Sequence, residues 1–368
     1  MKIGIITFHY AHNYGAVLQA FALCSKLRKE GYDAKIVDLR RSFIYNQYLP
    51  LELSYFYNNY RCQNSKLLSL IKACKSYWTN RKRDMQWKRF NKFIIKVLPR
   101  TKRIFKVNEI DKLGLDAYIS GSDQIWNDHL TNGFDSLYFC DGFGIDKLKI
   151  AYAASNGFES IDDDKFETFK SLISNFDAIS IREKCLSDFL KAKGVNNTNV
   201  LDPIFLLDKN DWANISAKVP CSNYLLTYSF SEEPNFFSDV LSFAKSKGLK
   251  VVSILFNHRE DIDSDIIQIT DAGPMEFLGY FRNASFVITN SFHGTAFSIL
   301  HEKQFVCVPP QKARGRIDSL LKNLGLTDRM QTSNFNSDCF IDYKNVILKL
   351  NELRNESLLF LKSNLKIK

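Results

Sequence analysis

Residues 290–295 combine side chains that could bind an anion and transfer a proton. The preceding run, residues 285–289, is apolar and β-branched, which predicts a buried strand, and residues 296–300 predict the first turns of a helix. A helix N-terminus presents free backbone N–H groups and the positive end of the helix dipole, so an anion is stabilised there. His293 would lie at this turn with a proton to give or take. A structural histidine bonded to the backbone is the alternative interpretation of the same pattern.

Polar or basic residues also follow other predicted strands, at the edge where open parallel sheets bind their ligands. Arg182 comes directly after the predicted strand 178–181, and a lone arginine emerging from a buried strand needs an anionic partner. The loop after the last predicted strand is rich in arginine, which binds phosphate or carboxylate in a bidentate fork; an ordinary surface loop is the alternative. The candidates at strand ends are Asn13, Gly15, Ser122, Asp123, Asn156, Arg182, Ser291 and His293, with Lys312, Arg314 and Arg316 in the last loop.

Strands and helices alternate along the chain, which predicts an α/β fold with mostly parallel sheets around a shared cleft. The predicted strands are residues 2–7, 34–38, 117–120, 149–154, 178–181 and 199–201 in a first half and 224–228, 250–256, 285–289 and 305–308 in a second. We expect an N-terminal domain over residues 1–206, a C-terminal domain over 207–342 and a terminal helix over 343–368. No G-x-G-x-x-G loop, P-loop, G-x-S-x-G elbow or H-E-x-x-H motif is present, which gives little support to a dinucleotide site.

A helical insertion at about residues 41–106 interrupts the first half and carries most of the positive charge. The net charge is +10, and residues 61–106 hold fifteen Lys or Arg against one acid, Asp84. Such a block favours an anionic partner, such as membrane lipid, a lipid-linked phosphate or nucleic acid. A solvated helix face is an equally open interpretation. The insertion would otherwise dock on its own domain or reach over the cleft.

Cysteine spacing and hydropathy bear on the compartment. The eight cysteines show no C-x-x-C spacing and the histidines no metal-ligand spacing, so no metal site is predicted. No signal peptide is recognisable, and no apolar run reaches the roughly 18–20 residues that a membrane span requires. We therefore expect a cytoplasmic protein with reduced thiols.

An ordered set of motifs resembles the polysaccharide pyruvyl transferase family and spans nearly the whole chain. The matching segments are residues 13–16 (NYGA), 121–127 (GSDQIWN), 152–155 (YAAS), 180–183 (SIRE), 201–203 (LDP), 274–278 (PMEFL) and 289–295 (TNSFHGT). The resemblance implies a GT-B-like architecture of two Rossmann-like domains facing a central cleft. It also implies transfer of the pyruvyl group of phosphoenolpyruvate to a sugar of a lipid-linked or polymeric surface glycan, as a ketal, with no cofactor.

The resemblance implies that Arg182 contacts the donor and that His293 acts in binding or acid chemistry, and the chemistry of the reaction suggests roles for the other candidates. His293 would be the catalytic acid or a ligand of the phosphate, and Asp123 would accept a hydroxyl proton. The donor would be bound by Arg182, Ser291, Gly294, Thr295, Lys312, Arg314 and Arg316, and the acceptor by Asn13, Gly15, Ser122, Gln124, Trp126 and Asn156. The chain departs from the R-x-H pattern of the family, because Ser291 stands where those members have arginine. Lys312, Arg314 or Arg316 would then supply the missing charge.

The sequence therefore predicts a cytoplasmic pyruvyl transferase of capsule or exopolysaccharide biosynthesis. Peripheral contact with the inner face of an anionic membrane through residues 61–106 is a further expectation, and nucleic acid is not an expected partner. A GT-B glycosyltransferase that uses a nucleotide sugar is the first alternative. A non-catalytic protein that binds an anionic glycan or lipid is the second.

Overall fold

Two parallel sheets, one in each half of the chain, form the framework of the protein in a computed structural model. The structure describes residues 1–41, 66–79, 81–230, 235–309, 314–331, 335 and 340–366. Among these residues, no helix combines the length and the apolarity needed to cross a bilayer.

The first sheet has six parallel strands in the order β2-β1-β3-β4-β5-β6. Its strands are β1 (Lys2–Ile6), β2 (Asp33–Ile36), β3 (Ala117–Ser120), β4 (Leu148–Ala154), β5 (Ala178–Ile181) and β6 (Thr198–Asn199). The central strands β3 and β4 are apolar and almost wholly buried, as expected for a parallel sheet covered by helices on both faces. The helices of this half are α1 (Tyr14–Lys29), α2 (Lys66–Thr79), α3 (Arg81–Lys96), α4 (Asp128–Thr131), α5 (Asp163–Ile173) and α6 (Lys184–Ala192).

The second sheet has five parallel strands in the order β11-β10-β7-β8-β9. Its strands are β7 (Tyr224–Tyr228), β8 (Lys250–Ile254), β9 (Ile266–Ile269), β10 (Phe286–Thr289) and β11 (Gln304–Cys307). The helices that follow the first sheet are α7 (Lys209–Ile215), α8 (Phe236–Ser246), α9 (Pro274–Asn283), α10 (Phe292–Leu300), α11 (Arg314–Leu324) and α12 (Tyr343–Asn364). The predicted limit between residues 206 and 207 falls in the connection between the two sheets.

One hydrophobic cluster includes residues of both halves. Tyr14, at the start of α1, stacks on Phe277 of α9 with ring centroids 4.3 Å apart. Its hydroxyl donates a 2.8 Å hydrogen bond to the carbonyl of Ala272 and accepts one of 3.1 Å from Gln86 of α3. Helix α1 therefore joins the first sheet to the core of the second half.

The two helices of the basic insertion behave differently. Phe90, Phe93 and Ile94 of α3 are buried in the same shared cluster, so the expectation that the insertion docks on the body of the protein describes this helix. Helix α2 keeps several large apolar side chains exposed. Residues 42–65 of the insertion lie outside the described residues.

Three differences between the predicted and observed elements have simple physical causes. Helix α10 begins at Phe292, four residues before the predicted start, because the Ser291 side chain accepts a hydrogen bond from the Gly294 N–H and caps it. Strand β9 was not predicted, since it pairs on one side only and is partly exposed, which weakens its hydrophobic pattern. Helix α7 was not predicted either, because it is short and has one buried side chain, Trp212, which gives no periodic apolar pattern.

Candidate functional site

The candidate site lies where the C-terminal edges of the two sheets meet. The first sheet supplies Asp123 after β3, Arg182 directly after β5 and Asp202 after β6. The second half supplies His293 in the first turn of α10 and Arg316 in the first turn of α11. Parallel strands end at a common edge, so residues far apart in sequence converge there.

Arg182 is the centre of a buried ionic network. Its Nε donates a 2.9 Å hydrogen bond to Oε1 of Glu183, and its Nη1 donates one of 2.9 Å to Oδ2 of Asp202. The Nη2 group donates to Oγ of Ser155 at 3.2 Å, and Oδ1 of Asp123 lies 3.7 Å from Nη1. Burial disfavours the charged guanidinium, but the three carboxylates outweigh it and raise the pKa of Arg182. The side chain is therefore already neutralised within the chain.

Asp202 connects this network to His293. The Nε2 atom of His293 lies 3.7 Å from Oδ2 of Asp202, beyond the length of a direct hydrogen bond. Burial raises the pKa of Asp202, but His293, Arg182 and the backbone N–H of Ile204 together lower it to about 2. The carboxylate is ionised at neutral pH and can orient the imidazole.

A glycine of the first half fixes the other side of the imidazole. A Cβ placed on Gly15 would lie 2.1 Å from Nδ1 and 2.2 Å from Cε1 of His293. No side chain fits at that separation. The backbone of the first turn of α1 therefore packs directly against His293. This contact explains why position 15 is glycine.

Arg316 lies in the same cluster and is not neutralised in the same way. Its Nε atom is buried and has no hydrogen-bond partner in the part of the chain that the structure describes. Burial, followed by the charge of Arg182, lowers the pKa of Arg316. Arginine nevertheless stays protonated in proteins, so a buried guanidinium in this position calls for an anion.

A cavity of about 280 Å³ opens beside Arg316, between the two halves. It is lined by Gly157, Phe158, Glu159, Glu183, Cys185, Gly315 and Arg316. The volume is close to the lower end of ligand pockets, roughly 300 Å³. A smaller cavity on the other side of Glu183 and Arg316 is lined by Arg182, Asp202 and Phe292 among others.

Three buried polar atoms of the cluster have no partner among the residues that the structure describes: Oε2 of Glu183, Nε2 of His293 and Nε of Arg316. Buried polar groups are ordinarily hydrogen-bonded, and each exception needs an explanation. One acceptor, one donor and one imidazole nitrogen around Arg182 suit a small ligand that carries both negative charge and hydroxyl groups.

The predicted residues of the second half have distinct positions. Ser291 is buried and caps α10, with its Oγ 3.4 Å from the Gly294 nitrogen. Gly294 packs on Thr289, and its Cβ would lie 2.2 Å from Oγ1 of that residue. Thr295 is fully buried and donates to the Ser291 carbonyl at 3.0 Å. These three residues shape the turn that carries His293, and the hydroxyls of Ser291 and Thr295 form hydrogen bonds within it.

The arginine-rich loop divides into three cases. Arg316 lies in the cluster, whereas Arg314 is exposed at the start of α11. Lys312 lies outside the described residues. Of the two cations that the structure describes among those considered as a substitute for the arginine missing at position 291, Arg316 is the one placed beside Arg182.

Two predicted acceptor residues are core residues instead. Trp126 is fully buried, donates to the Tyr138 carbonyl at 3.2 Å and stacks on Phe139. Ser122 is also fully buried, and its hydroxyl donates to the Ala153 carbonyl at 2.6 Å. Neither side chain has surface left for a sugar, so the predicted contact is corrected for both.

The other predicted acceptor residues stabilise the loops around the cleft. Asn13 caps α1 through a 3.0 Å hydrogen bond from the Gly15 N–H to its Oδ1. Gln124 accepts from Asn127 at 2.7 Å. Asn156 donates to the Ser160 carbonyl at 2.8 Å and accepts from the Phe158 N–H at 2.9 Å.

Asp123, the predicted base, has a positive φ of 65° and retains 15% side-chain exposure.

Glu183 and Asp202 are members of the cluster that the candidate set omits. Both belong to the motif segments 180–183 and 201–203, each directly or shortly after a strand of the first sheet. An arginine predicted to emerge from a buried strand implies carboxylate partners, and that was the signal available for them. The described residues contain no group of three or more His, Cys, Asp or Glu side chains arranged to hold a metal ion.

Comparison with known proteins gives a family and a fold. The sequence model described as polysaccharide pyruvyl transferase matches residues 13–311. No curated protein matches the chain by sequence.

Solved structures share the architecture at low sequence identity. The candidate UDP-N-acetylglucosamine 2-epimerase of Listeria monocytogenes aligns with a TM-score of 0.52 and 12% identity over 99% of this chain and 90% of its own. The UDP-GlcNAc 2-epimerases of Methanocaldococcus jannaschii and, bound to UDP-GlcNAc, of Neisseria meningitidis both align with a TM-score of 0.50. Their identities are 12% and 9%, over 96% and 100% of this chain and 93% and 95% of theirs. The fold is GT-B-like, with two mostly parallel α/β halves facing a cleft.

Proposed function

We propose that this chain, which belongs to the polysaccharide pyruvyl transferase family, transfers the pyruvyl group of phosphoenolpyruvate to a sugar of a surface glycan. The product is a ketal that bridges two sugar hydroxyls, and phosphate is released. The acceptor is a sugar of a lipid-linked or polymeric glycan, and the reaction takes place in the cytoplasm. It consumes only phosphoenolpyruvate and two hydroxyl groups, so it requires no cofactor.

The guanidinium of Arg316 carries the proposal, because its buried Nε has no hydrogen-bond partner among the residues that the structure describes. Phosphoenolpyruvate is a small anion with a phosphate and a carboxylate, each of which matches the bidentate geometry of arginine. Arg316 is half-buried beside a second cation, its Nε is buried without a partner among the described residues, and it lines the 280 Å³ cavity. An anion there would compensate the charge that burial and Arg182 destabilise.

In this proposal Arg316 also replaces the arginine that the R-x-H pattern places two residues before the histidine. Ser291 occupies that position and is used as a helix cap. In this proposal the positive charge has moved from α10 to the first turn of α11. Arg182 contributes by positioning Asp202 and Glu183 rather than as an unpaired cation.

His293 would protonate the methylene carbon of phosphoenolpyruvate; its Nε2 is buried, has no partner among the described residues and lies 3.7 Å from Asp202. Protonation creates an oxocarbenium-like centre at the adjacent carbon, and a sugar hydroxyl attacks it. The carbon–oxygen bond to phosphate then breaks, and a second hydroxyl closes the ketal. The two hydroxyl protons replace the one given to the methyl group and the one that leaves with phosphate.

Asp123 is the proposed acceptor of the first hydroxyl proton, since it retains exposure to the cleft. The structure adds Glu183 as a rival for this step, because Glu183 lines the cavity and its Oε2 has no partner. Comparing Asp123→Asn with Glu183→Gln distinguishes them. The true base gives the larger loss of turnover rate and removes the acidic limb of its pH profile.

The proposal is tested by measuring phosphate release from phosphoenolpyruvate with a defined lipid-linked acceptor. His293→Gln should reduce the rate by about 10²–10⁴-fold, the usual contribution of a general acid, and His129→Gln, at an exposed position of the first half, should not. Unchanged release by His293→Gln would exclude the assigned role.

Ligand-induced thermal stabilisation separates the alternatives. Phosphoenolpyruvate should raise the melting temperature, and UDP-sugars should not, because binding to the native state alone stabilises it. Stabilisation by UDP-sugars only would favour a GT-B glycosyltransferase. A glycan that binds without any phosphate release would favour the non-catalytic binding protein.

A further inference from the structure

Helix α2 (Lys66–Thr79) is packed with its small residues inward and its large apolar residues outward. Leu67, Leu70 and Ile71 are 70%, 45% and 57% exposed. Ser69 and Ala73 are fully buried. A surface helix of a globular protein ordinarily shows the reverse, with its apolar stripe facing the core.

The exposed apolar residues form one continuous stripe. Positions 67, 70 and 71 are spaced i, i+3 and i+4, so they share one face of a helix. At about 100° per residue, Lys66 and Lys75 flank this stripe on opposite sides. Both lysines are exposed. An apolar stripe between two lysines is the arrangement of a helix that lies in a membrane interface, where the lysine chains extend to the headgroups.

The charge around the stripe limits what can cover it. Helix α2 contains three lysines and no acid, and the two that flank the stripe, Lys66 and Lys75, are exposed. A second copy of this chain would bring two such positive faces together, and like charges repel. An anionic lipid surface is complementary in charge and also accepts the apolar stripe.

Helix α3 supplies a rigid base for α2. Its Phe90 and Phe93 are buried in the core shared by the two halves, and Arg89 donates a 2.8 Å hydrogen bond to the carbonyl of Asp271. Helix α2 contacts α3, and its stripe is exposed. No described residue buries Leu67, Leu70 or Ile71.

We propose that α2 docks the protein on an anionic membrane, with Leu67, Leu70 and Ile71 inserted at the level of the headgroups and Lys66 and Lys75 bound to lipid phosphates. The docking surface is separate from the cleft and does not depend on the pyruvyl transfer proposed above. It would hold the cleft near glycans that are built on membrane lipids.

Flotation of the full chain with vesicles tests this proposal. The protein should bind vesicles of phosphatidylglycerol and phosphatidylcholine, binding should fall steeply with added salt, and vesicles of phosphatidylcholine alone should bind much less. The variant L67Q/L70Q/I71Q should lose at least about tenfold in binding, because apolar area no longer leaves water. The variant K66Q/K75Q should lose about fivefold for each lysine.

A matched control comes from another exposed helix. Leu348 and Leu359 of α12 are also exposed, at 57% and 67%, and lie outside the basic block. L348Q/L359Q should bind vesicles like the unaltered protein. All three variants should keep the melting temperature of the parent within a few degrees, since the altered side chains are exposed.

Three results would overturn the proposal. The first is binding by L67Q/L70Q/I71Q equal to that of the parent, and the second is no binding by the parent at low salt. The third is a parent that sediments as a dimer and a triple variant that sediments as a monomer, which would make the stripe a contact between two copies. Failure of phosphate release would leave vesicle binding unaffected, so the two proposals can fail separately.

Discussion

The backbone of Gly15 lies directly against the imidazole of His293, so that a Cβ on the glycine would come within 2.1 Å of Nδ1. The two residues belong to different halves of the protein. The orientation of the histidine is therefore set partly by the first turn of α1 and partly by its own helix α10. The distance between the halves at this point cannot grow or shrink without moving the imidazole.

Replacing Gly15 by alanine should displace His293 and reduce phosphate release by about a hundredfold or more, because a small misplacement of a catalytic group has a cost of that order. Alanine stabilises helices relative to glycine by up to about 1 kcal/mol, so poor helix formation cannot explain the loss. The measurement is kcat with a saturating acceptor.

Gly144→Ala is the control for that substitution. The nearest atoms to its Cβ belong to the side chains of Asp146 and Lys147, at 3.0 and 3.2 Å, and both are free to move aside. Activity should stay near that of the parent. Equal activity of Gly15→Ala and the parent would show that the imidazole does not need this contact.

Arg316 should matter more than Arg314 for binding phosphoenolpyruvate. Arg316→Gln removes the buried guanidinium and should weaken binding by about tenfold to a hundredfold, the range for a lost charged hydrogen bond. Arg314→Gln alters an exposed side chain and should change the dissociation constant by less than about threefold. Isothermal titration with phosphoenolpyruvate measures both.

An arginine placed at the start of α10 should partly restore the phosphoenolpyruvate binding that Arg316→Gln loses. In the double variant Ser291→Arg with Arg316→Gln, the arginine stands where the family pattern has it. Binding should improve over Arg316→Gln alone, although loss of the serine cap costs about 1 kcal/mol of stability. No improvement would mean that Arg316 does not replace the missing arginine.

Arg182→Ala should destabilise the protein strongly. It leaves Asp202 and Glu183 buried without their cation, which costs about 3–5 kcal/mol, so lost activity in this variant would report unfolding as well as chemistry. Arg182→Lys keeps the charge and should cost less. Urea unfolding measures the difference.

An exposed ion pair provides the comparison for Arg182. Lys193→Ala breaks the pair with Asp163, whose side chain is 92% exposed, and should cost under about 1 kcal/mol. If Arg182→Ala proved as mild as Lys193→Ala, the buried network would not contribute to stability as described.

His301 should make the stability of the protein depend on pH. Burial, with smaller contributions from Lys303, Lys209 and Arg282, lowers its pKa from 6.5 to about 3, and neither ring nitrogen has a partner. Between these two values the unfolded chain binds a proton that the folded chain does not. Stability is therefore fully present above about pH 6.5 and falls as the pH is lowered towards 3.

The variant His301→Phe should remove this dependence and still stack near Phe297. Relative to the parent, its free energy of unfolding should rise by about 2 kcal/mol between about pH 7.5 and about pH 5. Urea unfolding at the two pH values measures the change. A difference that is the same at both values would contradict it.

The sequence was informative about the order of elements and about the family, because strand patterns and motif segments are local. Arg182 and His293 could be singled out because each follows a predicted strand, and strand ends meet at one edge. The acid role of His293 remains a prediction, and for Arg182 the proposed role is now the positioning of Asp202 and Glu183 in place of the predicted donor contact.

Other features depend on contacts between distant segments, which local patterns do not contain. The neutralisation of Arg182 depends on Asp202, and the position of His293 depends on Gly15. Trp126 was expected to face a sugar, but its indole is buried against Phe139 and Phe169, as only the packed core reveals. The outward stripe of α2 has ordinary helical spacing, so the sequence predicts a helix there without telling which face is buried.

The burial of Tyr14 in the core of the opposite half affects how substrates and products enter and leave during turnover. Spreading the two sheets apart would have to unstack Tyr14 from Phe277 and break its hydrogen bond to Ala272. An aromatic pair contributes about 0.5–1.5 kcal/mol and a hydrogen bond about 1 kcal/mol, before the rest of the shared cluster is considered. We expect the two halves to stay packed together through the catalytic cycle. Phosphoenolpyruvate would then enter between Phe158 and Gly315, and the cleft would not open by a hinge motion.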